Sequence, residues 1–443
     1  MNYKLSKHNI ISQIKDSDDY FIINPLSKNA DILDSNTAKS LLKGDFPNQE
    51  ELIEKGYLTV PENEEKLFKT EYLDFLDSRD DDELQIFYVP TYACNFNCTY
   101  CYQEGYENEK PTDYAPVIKA FFEYVDTEFA GRRKYITVFG GEPLLPDENT
   151  RKKIKLIVEE ANRRNLSLAF VTNAYSLDSY IPLLKTASIR EIQITLDGPA
   201  DIHDKRRPLH SGTGTFREVV AGIDAALSAG LPVNLRAVMD RENMPALPEL
   251  AAFAVEKGWT DNPLFKTQLG RNYELHYCQD NANRLYDRLS MYEDLYSLIK
   301  ENPVVMDFHR PAYSISRFLF DNGEMPDPLF DSCPGCKTEW AFDYSGHIFS
   351  CTATVGKPGE SLGTFFPEVT LKEDAVEAWQ ERDVTSIPEC KSCELRLACG
   401  GGCASAAKNK SGEINSPDCR PVAGLMSLGL SLYFGGTEAE TTE

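Results

Sequence analysis

The stretch "YACNFNCTYCYQE", residues 92–104, places three cysteines at C-x₃-C-x₂-C spacing directly after an apolar, β-rich run. Cys94, Cys98 and Cys101 are one thiol short of the four that usually hold a zinc ion or an iron–sulfur cluster. Two interpretations follow from these residues alone. Either the fourth ligand lies elsewhere in the chain, or one position of a [4Fe–4S] cluster is left open for a small molecule.

Short β-rich runs alternate with amphipathic helical stretches on the C-terminal side of residue 86. This alternation predicts parallel strands joined by crossover helices, an α/β fold. Six such units predict a partial (β/α)6 TIM barrel that binds its ligands at the C-terminal ends of the strands, where the first cysteines lie. The runs are IFYVP (86–90), YITVFGG (135–141), LAFVTNA (168–174), IQITLDG (192–198), VNLRAVM (233–239) and LFKTQLG (264–270).

The rest of the chain divides by pattern into four further parts. Residues 1–75 predict a small winged-helix-like unit of two strands and two helices, with Ser35 as the first N-cap and Gly56 ending the second helix. The acidic stretch DSRDDDELQ is expected to separate this unit from the barrel at residues 86–280. Residues 281–322 predict a helical bridge, residues 323–425 a Cys-rich unit that folds around metal, and residues 436–443 a disordered tail.

Charge and cysteine content exclude several classes of function. The chain has 443 residues, and 70 acidic against 46 basic residues give a net charge of −24. Such a surface repels nucleic-acid phosphates and anionic membranes, so we expect neither as a partner. The N-terminus lacks an apolar signal region, and no apolar run is long enough to cross a bilayer, which predicts a cytoplasmic protein. Twelve cysteines in that setting indicate metal or redox ligands rather than disulfides.

Three further motifs follow the next strands in order. GGEP (140–143) combines two glycines, which allow close approach to a ligand, with a carboxylate that can hold an ammonium group; in isolation it is also an ordinary turn. TNA (172–174) and TLDGPADIHDKRRP (195–208) come next. Together with the cysteine triad and the aromatic Tyr100, these motifs resemble those of radical S-adenosylmethionine (SAM) enzymes. Ala174 stands where the family often has Gly, and Thr195 stands where it has Ser.

The resemblance implies a role for each matching position. Cys94, Cys98 and Cys101 would ligate the catalytic [4Fe–4S] cluster, whose open iron takes the amino and carboxylate groups of SAM. The implied reaction is reductive cleavage of SAM to methionine and a 5′-deoxyadenosyl radical, which abstracts hydrogen from an unactivated carbon. The implied cofactor-binding residues are Tyr100 beside the adenine, Gly140, Gly141 and Glu142 at the ammonium, Asn173 in the TNA motif, Thr195 and Arg207 at the ribose and carboxylate, and Leu269 at the adenine.

Eight cysteines between residues 333 and 419 are similar to the signature of the SPASM domain. That resemblance implies two auxiliary [4Fe–4S] clusters, and hence three clusters in all. Cys333, Cys336, Cys351 and Cys403 would hold auxiliary cluster I, and Cys390, Cys393, Cys399 and Cys419 would hold auxiliary cluster II. Two tetrathiolate zinc sites would need the same eight residues, and spacing alone does not exclude them.

SPASM enzymes mostly modify peptides or proteins. The implied function is therefore maturation of a ribosomally made precursor peptide (RiPP), giving a crosslink (thioether, C–C or ether) or an epimerised residue. Flavodoxin or ferredoxin would be the electron donor. An anaerobic sulfatase-maturase-like enzyme is the alternative, but there an Asp follows the third SPASM cysteine, and here Cys351 is followed by Thr352. Residues 1–75 faintly resemble the peptide-recognition unit of such maturases.

A multi-cluster iron–sulfur electron carrier is the competing class of protein. Such a carrier has no use for a SAM site, so the GGEP and TLDG motifs favour the enzyme. Cys278 is the one cysteine left without a cluster role. It is either a small buried apolar residue or a hydrogen-atom donor to a substrate radical, as in peptide epimerases.

Overall fold

Six parallel strands form the centre of the structure, a computed structural model that describes residues 3–106, 113–272 and 284–435. They lie side by side in chain order, as a singly wound barrel sheet requires. The α/β class and all six predicted strands are confirmed. The strands are β6 (Leu84–Val89), β7 (Lys134–Val138), β8 (Leu168–Thr172), β9 (Ile189–Thr195), β10 (Val233–Met239) and β11 (Phe265–Arg271).

The two faces of this sheet differ in chemistry because successive side chains alternate between them. The outer face is apolar and packs under the crossover helices, with Ile86, Ile136, Phe170, Ile194 and Leu235 fully buried. The inner face carries polar side chains, including Gln85, Thr137, Gln193, Thr195 and Arg236. The crossover helices are α4 (Ala115–Glu128), α5 (Glu148–Arg163), α6 (Ile181–Leu184), α7 (Ala200–Arg206), α8 (Phe216–Ser228) and α9 (Leu247–Glu256), with 3-10 turns at Leu177–Tyr180 and Met244–Ala246.

The sheet does not end at the barrel but continues into the Cys-rich region. Strand β12 (Glu339–Asp343) pairs in parallel with β6, so that Ala341 lies opposite Phe87. Three short antiparallel strands follow it: β13 (His347–Phe349), β14 (Gly363–Thr364) and β15 (Thr370–Leu371). The sequence did not predict these strands, because they are too short to show periodicity. Their pairing fixes the Cys-rich region against the first strand of the barrel.

The N-terminal part contains a three-stranded antiparallel sheet in the order β2 (Ile10–Gln13), β3 (Tyr20–Asn24) and β4 (Asn29–Leu33). The N-cap of the first helix is Asp34 and not Ser35 as predicted, since the Asp34 carboxylate accepts the backbone N–H groups of Asn36 and Thr37. Gly56 lies just beyond the second helix in a left-handed conformation. The remaining elements are α1 (Ser35–Lys43), α2 (Gln49–Glu54), α3 (Pro61–Asp81) and the pair β1 (Lys4–Leu5) and β5 (Leu58–Thr59).

Helix α3 runs through the start of the acidic stretch that was expected to be a separator, and it ends only at Asp81. Its aromatic side chains Phe68, Tyr72 and Phe75 pack against Phe330. The bridge region contains α10 (Arg288–Glu301), α11 (Val304–Phe308) and α12 (Ser316–Asn322); the C-terminal part contains α13 (Glu373–Gln380), a 3-10 turn at Pro388–Cys390, α14 (Arg396–Cys399), α15 (Ala404–Ser411) and α16 (Val422–Phe434).

The last helix connects the two ends of the chain. Ile10, Phe21 and Ile23 of the N-terminal sheet form one apolar cluster with Val422 and Met426 of α16. Two hydrogen bonds reinforce the contact, from Lys15 N to Ser427 O at 3.2 Å and from Ser427 Oγ to Gln13 O at 2.7 Å. The N-terminal sheet is therefore packed on the Cys-rich side of the molecule. Cys278 and the tail at 436–443 lie outside the described residues.

Candidate functional site

A cavity of about 640 Å³ lies on the inner face of the barrel sheet. Cys94, Cys98 and Cys101 line one part of it. Thiols of the Cys-rich region line another part, namely Cys333, Cys351 and Cys403. The structure thus brings two cysteine groups that are more than two hundred residues apart in sequence to the same enclosed space.

The first triad lies in the loop after β6, at the C-terminal end of the strand. Burial raises the pKa of the Cys94 thiol to about 12 and that of Cys98 to about 11. Positive charge opposes this effect at Cys98, because the Arg207 guanidinium lies nearby and favours the thiolate. Cys94 Sγ accepts the backbone N–H of Phe96 at 3.4 Å. Buried thiols with such neighbours suit an anionic metal cluster, which binds thiolates and releases their protons.

The Gly140-Gly141 loop after β7 is attached directly to the triad loop. Gly141 N donates to Thr91 O at 3.1 Å, and Glu142 N donates to Ala93 O at 2.8 Å. A Cβ at Gly141 would lie 2.3 Å from Ala93 O and 2.4 Å from Tyr92 O. The motif therefore needs glycine because its backbone touches the backbone that carries the first cysteine, a reason the sequence did not supply.

Glu142 is buried, and three donors hold its carboxylate. Leu144 N and Thr172 Oγ1 donate to Oε1 at 2.7 and 2.6 Å, and Asn173 N donates to Oε2 at 2.6 Å. Burial raises the pKa of Glu142, and these hydrogen bonds act in the opposite direction. The side chain links the ends of β7 and β8. Gly140, Gly141 and Asn173 line the cavity, whereas Glu142 lies behind them.

Tyr100, Arg207 and Thr195 also line the cavity. Arg207 donates to Tyr100 Oη at 2.9 Å, and Tyr100 Oη donates to Asp197 at 2.5 Å. This chain of hydrogen bonds fixes the phenol and the guanidinium relative to the triad. Asp197 itself is 1% exposed and also accepts the backbone N–H of Val238. Asp197 stands in the TLDG motif, and apart from that motif nothing in the sequence signals its role.

Leu269 was predicted at the adenine, but it is not among the residues that line the cavity; it lies on β11 and packs against the apolar core. The alternation along the strand explains this orientation, since Gln268 and Gly270 take the inner face. The cavity is lined at the end of this strand by Arg271 and Asn272 instead.

Within each of the two predicted sets of C-terminal cysteines, the thiols affect one another's pKa. Burial raises the pKa of Cys351, and charge at Glu339, Cys333 and Cys403 raises it further. The pKa of Cys336 is raised in the same way, by burial and then by the charges of Cys351 and Cys333. All four members of the first predicted set are therefore electrostatic neighbours.

The second set lies nearer the surface. Burial raises the pKa of Cys390 to about 11, followed by the effects of Cys399, Cys393 and Cys419. Cys390 and Cys399 are buried, and Cys419 is exposed. Fully buried Arg382 lies beside this set and donates to four carbonyls, those of Gly401, Gly402, Ile414 and Ser416, and so ties together the loops that carry Cys403 and Cys419.

Two observations concern what is not found within residues 3–106, 113–272 and 284–435. No three His, Cys, Asp or Glu side chains are close enough to one another there to hold a single metal ion. In that same part of the chain, none of the helices has the length and apolar character needed to cross a membrane.

The open parallel barrel carries a thiol triad at the end of its first strand. The family model of the radical SAM superfamily matches residues 88–254, so the chain contains a radical SAM domain. Such a domain implies one [4Fe–4S] cluster and SAM. The triad, its N–H donor and the neighbouring Arg207 fit that cluster.

Curated relatives carry the name GTP 3′,8-cyclase. The one from Sulfurimonas denitrificans is 28% identical over 171 residues, which are 38% of this chain and 51% of the relative. The one from Nautilia profundicola is 30% identical over 173 residues, 38% of this chain and 52% of the relative. The chain thus spans about half the length of these relatives, and the likeness concerns that part.

Solved structures match over more of the chain. AnSMEcpe with bound AdoMet and the Cp18Cys peptide gives a TM-score of 0.60 at 18% identity and covers 80% of this chain and 96% of that one. Streptococcus suis SuiB bound to its precursor peptide SuiA gives a TM-score of 0.55 at 15% identity and covers 95% of this chain and all of that one. At these identities the likeness shows a shared fold.

Proposed function

We propose that this chain is a radical SAM/SPASM maturase that abstracts hydrogen from a ribosomally made peptide. The product is a crosslinked or an epimerised residue. One observation carries the proposal: a single cavity is lined by the triad Cys94, Cys98 and Cys101 and also by thiols of the second cysteine group. A substrate between them is within reach of both groups. The fold shared with two proteins that were solved with bound peptides supports a peptide as the substrate.

When bound at the triad, a reduced [4Fe–4S] cluster supplies the electron that cleaves SAM. The protein's own residues orient the cofactor and exclude water. Arg207 would bind the SAM carboxylate, and Thr195 would offer a hydroxyl to the ribose. The backbone of Gly140 and Gly141 would hold the ammonium, while Glu142 links this loop to Thr172 and Asn173 at the end of β8. Tyr100 would help to seat the adenine, and it accepts a hydrogen bond from Arg207.

The eight C-terminal cysteines hold two auxiliary [4Fe–4S] clusters in this proposal, with the two ligand sets given above. Three of the residues that would hold cluster I line the substrate cavity, namely Cys333, Cys351 and Cys403. Cluster II lies towards the surface, where Cys419 is exposed and a flavodoxin or ferredoxin donor can approach. Cys278 stays a proposed hydrogen donor for the case of epimerisation.

The N-terminal unit serves peptide recognition in this proposal. Strand β4 is the outer strand of its sheet, so one row of its backbone groups has no strand partner within the described residues. Ile32 on that strand is 57% exposed. An extended peptide can add to such an edge by backbone hydrogen bonds.

GTP is the competing substrate, since the curated relatives carry the name GTP 3′,8-cyclase. The deciding experiment incubates the anaerobically reconstituted, dithionite-reduced enzyme with SAM and either GTP or a peptide encoded by a small reading frame beside the gene. We expect 5′-deoxyadenosine in the incubation with GTP and in the incubation with the peptide. In the second incubation the peptide should have lost two hydrogen atoms or gained deuterium from D₂O. The variant C94A/C98A/C101A should form no 5′-deoxyadenosine. Formation of S-adenosylhomocysteine, or conversion of GTP with no change in the peptide, contradicts the proposal.

A further inference from the structure

Arg236 occupies an unusual position on the inner face of the barrel. It lies in the middle of β10, and its neighbours Leu235 and Ala237 are fully buried on the opposite, helix-covered face. Strand alternation therefore directs its side chain into the cavity, which it lines. A Cβ at Gly270 of the adjacent strand would lie 3.0 Å from both Nε and Nη2 of Arg236. The absence of a side chain at residue 270 leaves room for the guanidinium.

The Arg236 side chain forms no hydrogen bond or ion pair with any residue of the described ranges, and its Nε is buried without a partner. Two other polar side chains that line the cavity, those of Gln85 and Arg271, are paired. Gln85 donates to Thr137 at 3.1 Å, and Arg271 donates to Tyr286 O at 2.5 Å. An inward cation without an anionic partner is costly, because it has lost part of its hydration and has gained nothing in return.

Two of the carboxylates that line the cavity are engaged elsewhere, and a third, Glu104, is exposed. Glu339 accepts the backbone N–H of Thr352 at 2.9 Å, and Glu191 forms an ion pair with Lys266 at 2.5 Å. Arg207, another arginine near the triad, donates to Tyr100 and acts on Cys98. The charge of Arg236 instead lowers the pKa of Tyr102. Cys101 and Cys351, one from each cysteine group, raise the same pKa. The free donors of Arg236 thus face the space between the two groups.

We infer that Arg236 binds a carboxylate of the substrate, so that the peptide presents an Asp or Glu side chain to this cavity. The inference rests on the proposed function and specifies its substrate class. The guanidinium fits a carboxylate through two parallel N–H···O bonds, an arrangement that Lys cannot reproduce. An acidic residue held here lies between the two cysteine groups, where the hydrogen abstraction takes place.

The test measures binding of three short probes to the SAM-loaded holoenzyme by anaerobic equilibrium dialysis, with free peptide quantified by mass spectrometry. Ac-Gly-Glu-Gly-NH₂ carries a side-chain carboxylate, Ac-Gly-Gln-Gly-OH carries only a terminal one, and Ac-Gly-Gln-Gly-NH₂ carries none. We expect wild type to bind the Glu peptide at least tenfold more tightly than the fully neutral one. In Arg236→Gln this preference should disappear, and in Arg236→Lys it should fall to a small fraction.

Two further variants separate recognition from loss of the fold. Gly270→Ala keeps the charge but displaces the guanidinium, and it should reduce the preference severalfold. Arg217→Gln removes the same charge from an exposed helical position and should retain the full preference.

Equal binding of the Glu and neutral peptides by wild type overturns the inference, as does a preference that survives in Arg236→Gln. Stronger binding of the peptide with the free C-terminus assigns the site to a chain end and overturns the acidic side chain. Formation of 5′-deoxyadenosine by wild type, measured separately, reports on the proposed function and not on Arg236.

Discussion

Gly141 shows how a single residue couples two loops of the site. Its backbone lies so close to the loop of residues 91–94 that an added Cβ would approach two carbonyl oxygens to less than 2.5 Å. Backbone cannot move aside as a flexible side chain can, so the triad loop itself would have to shift.

We therefore expect Gly141→Ala to lose the iron of the triad although no cysteine is removed. Iron content should fall by about four per chain, the size of one cube, and 5′-deoxyadenosine formation should fall with it. Gly131→Ala is the matched control: that glycine has φ +75° and nothing within 4 Å of its Cβ, so it adds strain without a clash. Unchanged iron in Gly141→Ala would show that the loop tolerates the displacement.

Ala174 illustrates what a sequence shows of a site and what it does not. Ala stands here where the resembling family often has Gly, and this residue has a left-handed backbone with φ +64°. The family's glycine is thus a conformational requirement, and Ala adopts it at a cost of about 1 kcal/mol. The structure also shows Gly222 of α8 against it, where a Cβ would lie 2.6 Å from Ala174 O. That long-range complement could not be predicted, because nothing local to residue 222 announces it.

At the scale of elements, helix α3 joins the N-terminal unit to the Cys-rich region. Phe68 of this helix stacks on His8 at 5.8 Å between ring centroids and lies under the Arg396 guanidinium at 4.3 Å. Phe330 completes the contact from the other side. His8 is 1% exposed, and neither ring nitrogen has a partner within the described residues. A neutral imidazole therefore supports this interface.

The interface should weaken in acid. Burial, followed by the charges of Arg396 and Lys7, lowers the pKa of His8 from 6.5 to about 3. The unfolded chain thus binds a proton that the folded chain does not, so the stability from this group is complete above pH 6.5 and is lost as the pH falls towards 3. The loss is about 2 kcal/mol at pH 5. Thermal unfolding at pH 7.5 and pH 5 should show a smaller acid loss for His8→Phe than for wild type.

A second variant at this position separates charge from packing. His8→Gln removes the titration but keeps a buried polar group. It should therefore be less stable than His8→Phe at both pH values, and it should still lose less stability in acid than wild type. If His8→Phe and wild type lose equal stability between the two pH values, His8 is not the group that titrates.

The strands of the barrel and the strands of the Cys-rich region differed in how well the sequence predicted them. The run VNLRAVM is flanked by helical stretches, and it matches β10 residue for residue. Strand β12 was missed because its partner β6 lies about 250 residues earlier in the chain, and pairing of that range leaves no local pattern. Leu269 was misplaced for a related reason: a one-residue difference in register moves a side chain to the opposite face.

At the scale of the whole molecule, one sheet and two cysteine sets make the barrel and the Cys-rich region a continuous structure. Strand β12 leads from Cys336 towards Cys351, and it pairs with the strand that leads into the triad Cys94, Cys98 and Cys101. The positions of the two cysteine groups relative to each other are therefore set by backbone pairing between β6 and β12. The second set lies beyond this sheet, and its member Cys390 belongs to the apolar cluster that includes Phe330 and the aromatic residues of α3.

This arrangement predicts three metal centres that can be removed one at a time. Anaerobically reconstituted wild type should hold about twelve irons, three cubes of four. C94A/C98A/C101A should lose about four of them, because the auxiliary ligands lie on other loops and keep their own neighbours. C390A/C393A should also lose about four and should in addition make α3 more susceptible to limited proteolysis, since Cys390 packs in the same apolar cluster as that helix.

Iron and zinc are measured together by plasma emission spectroscopy. Two zinc ions with only four irons would replace the auxiliary clusters by tetrathiolate zinc sites on the same eight residues, and twelve irons with no change in proteolysis of C390A/C393A would separate the second cluster from the support of α3.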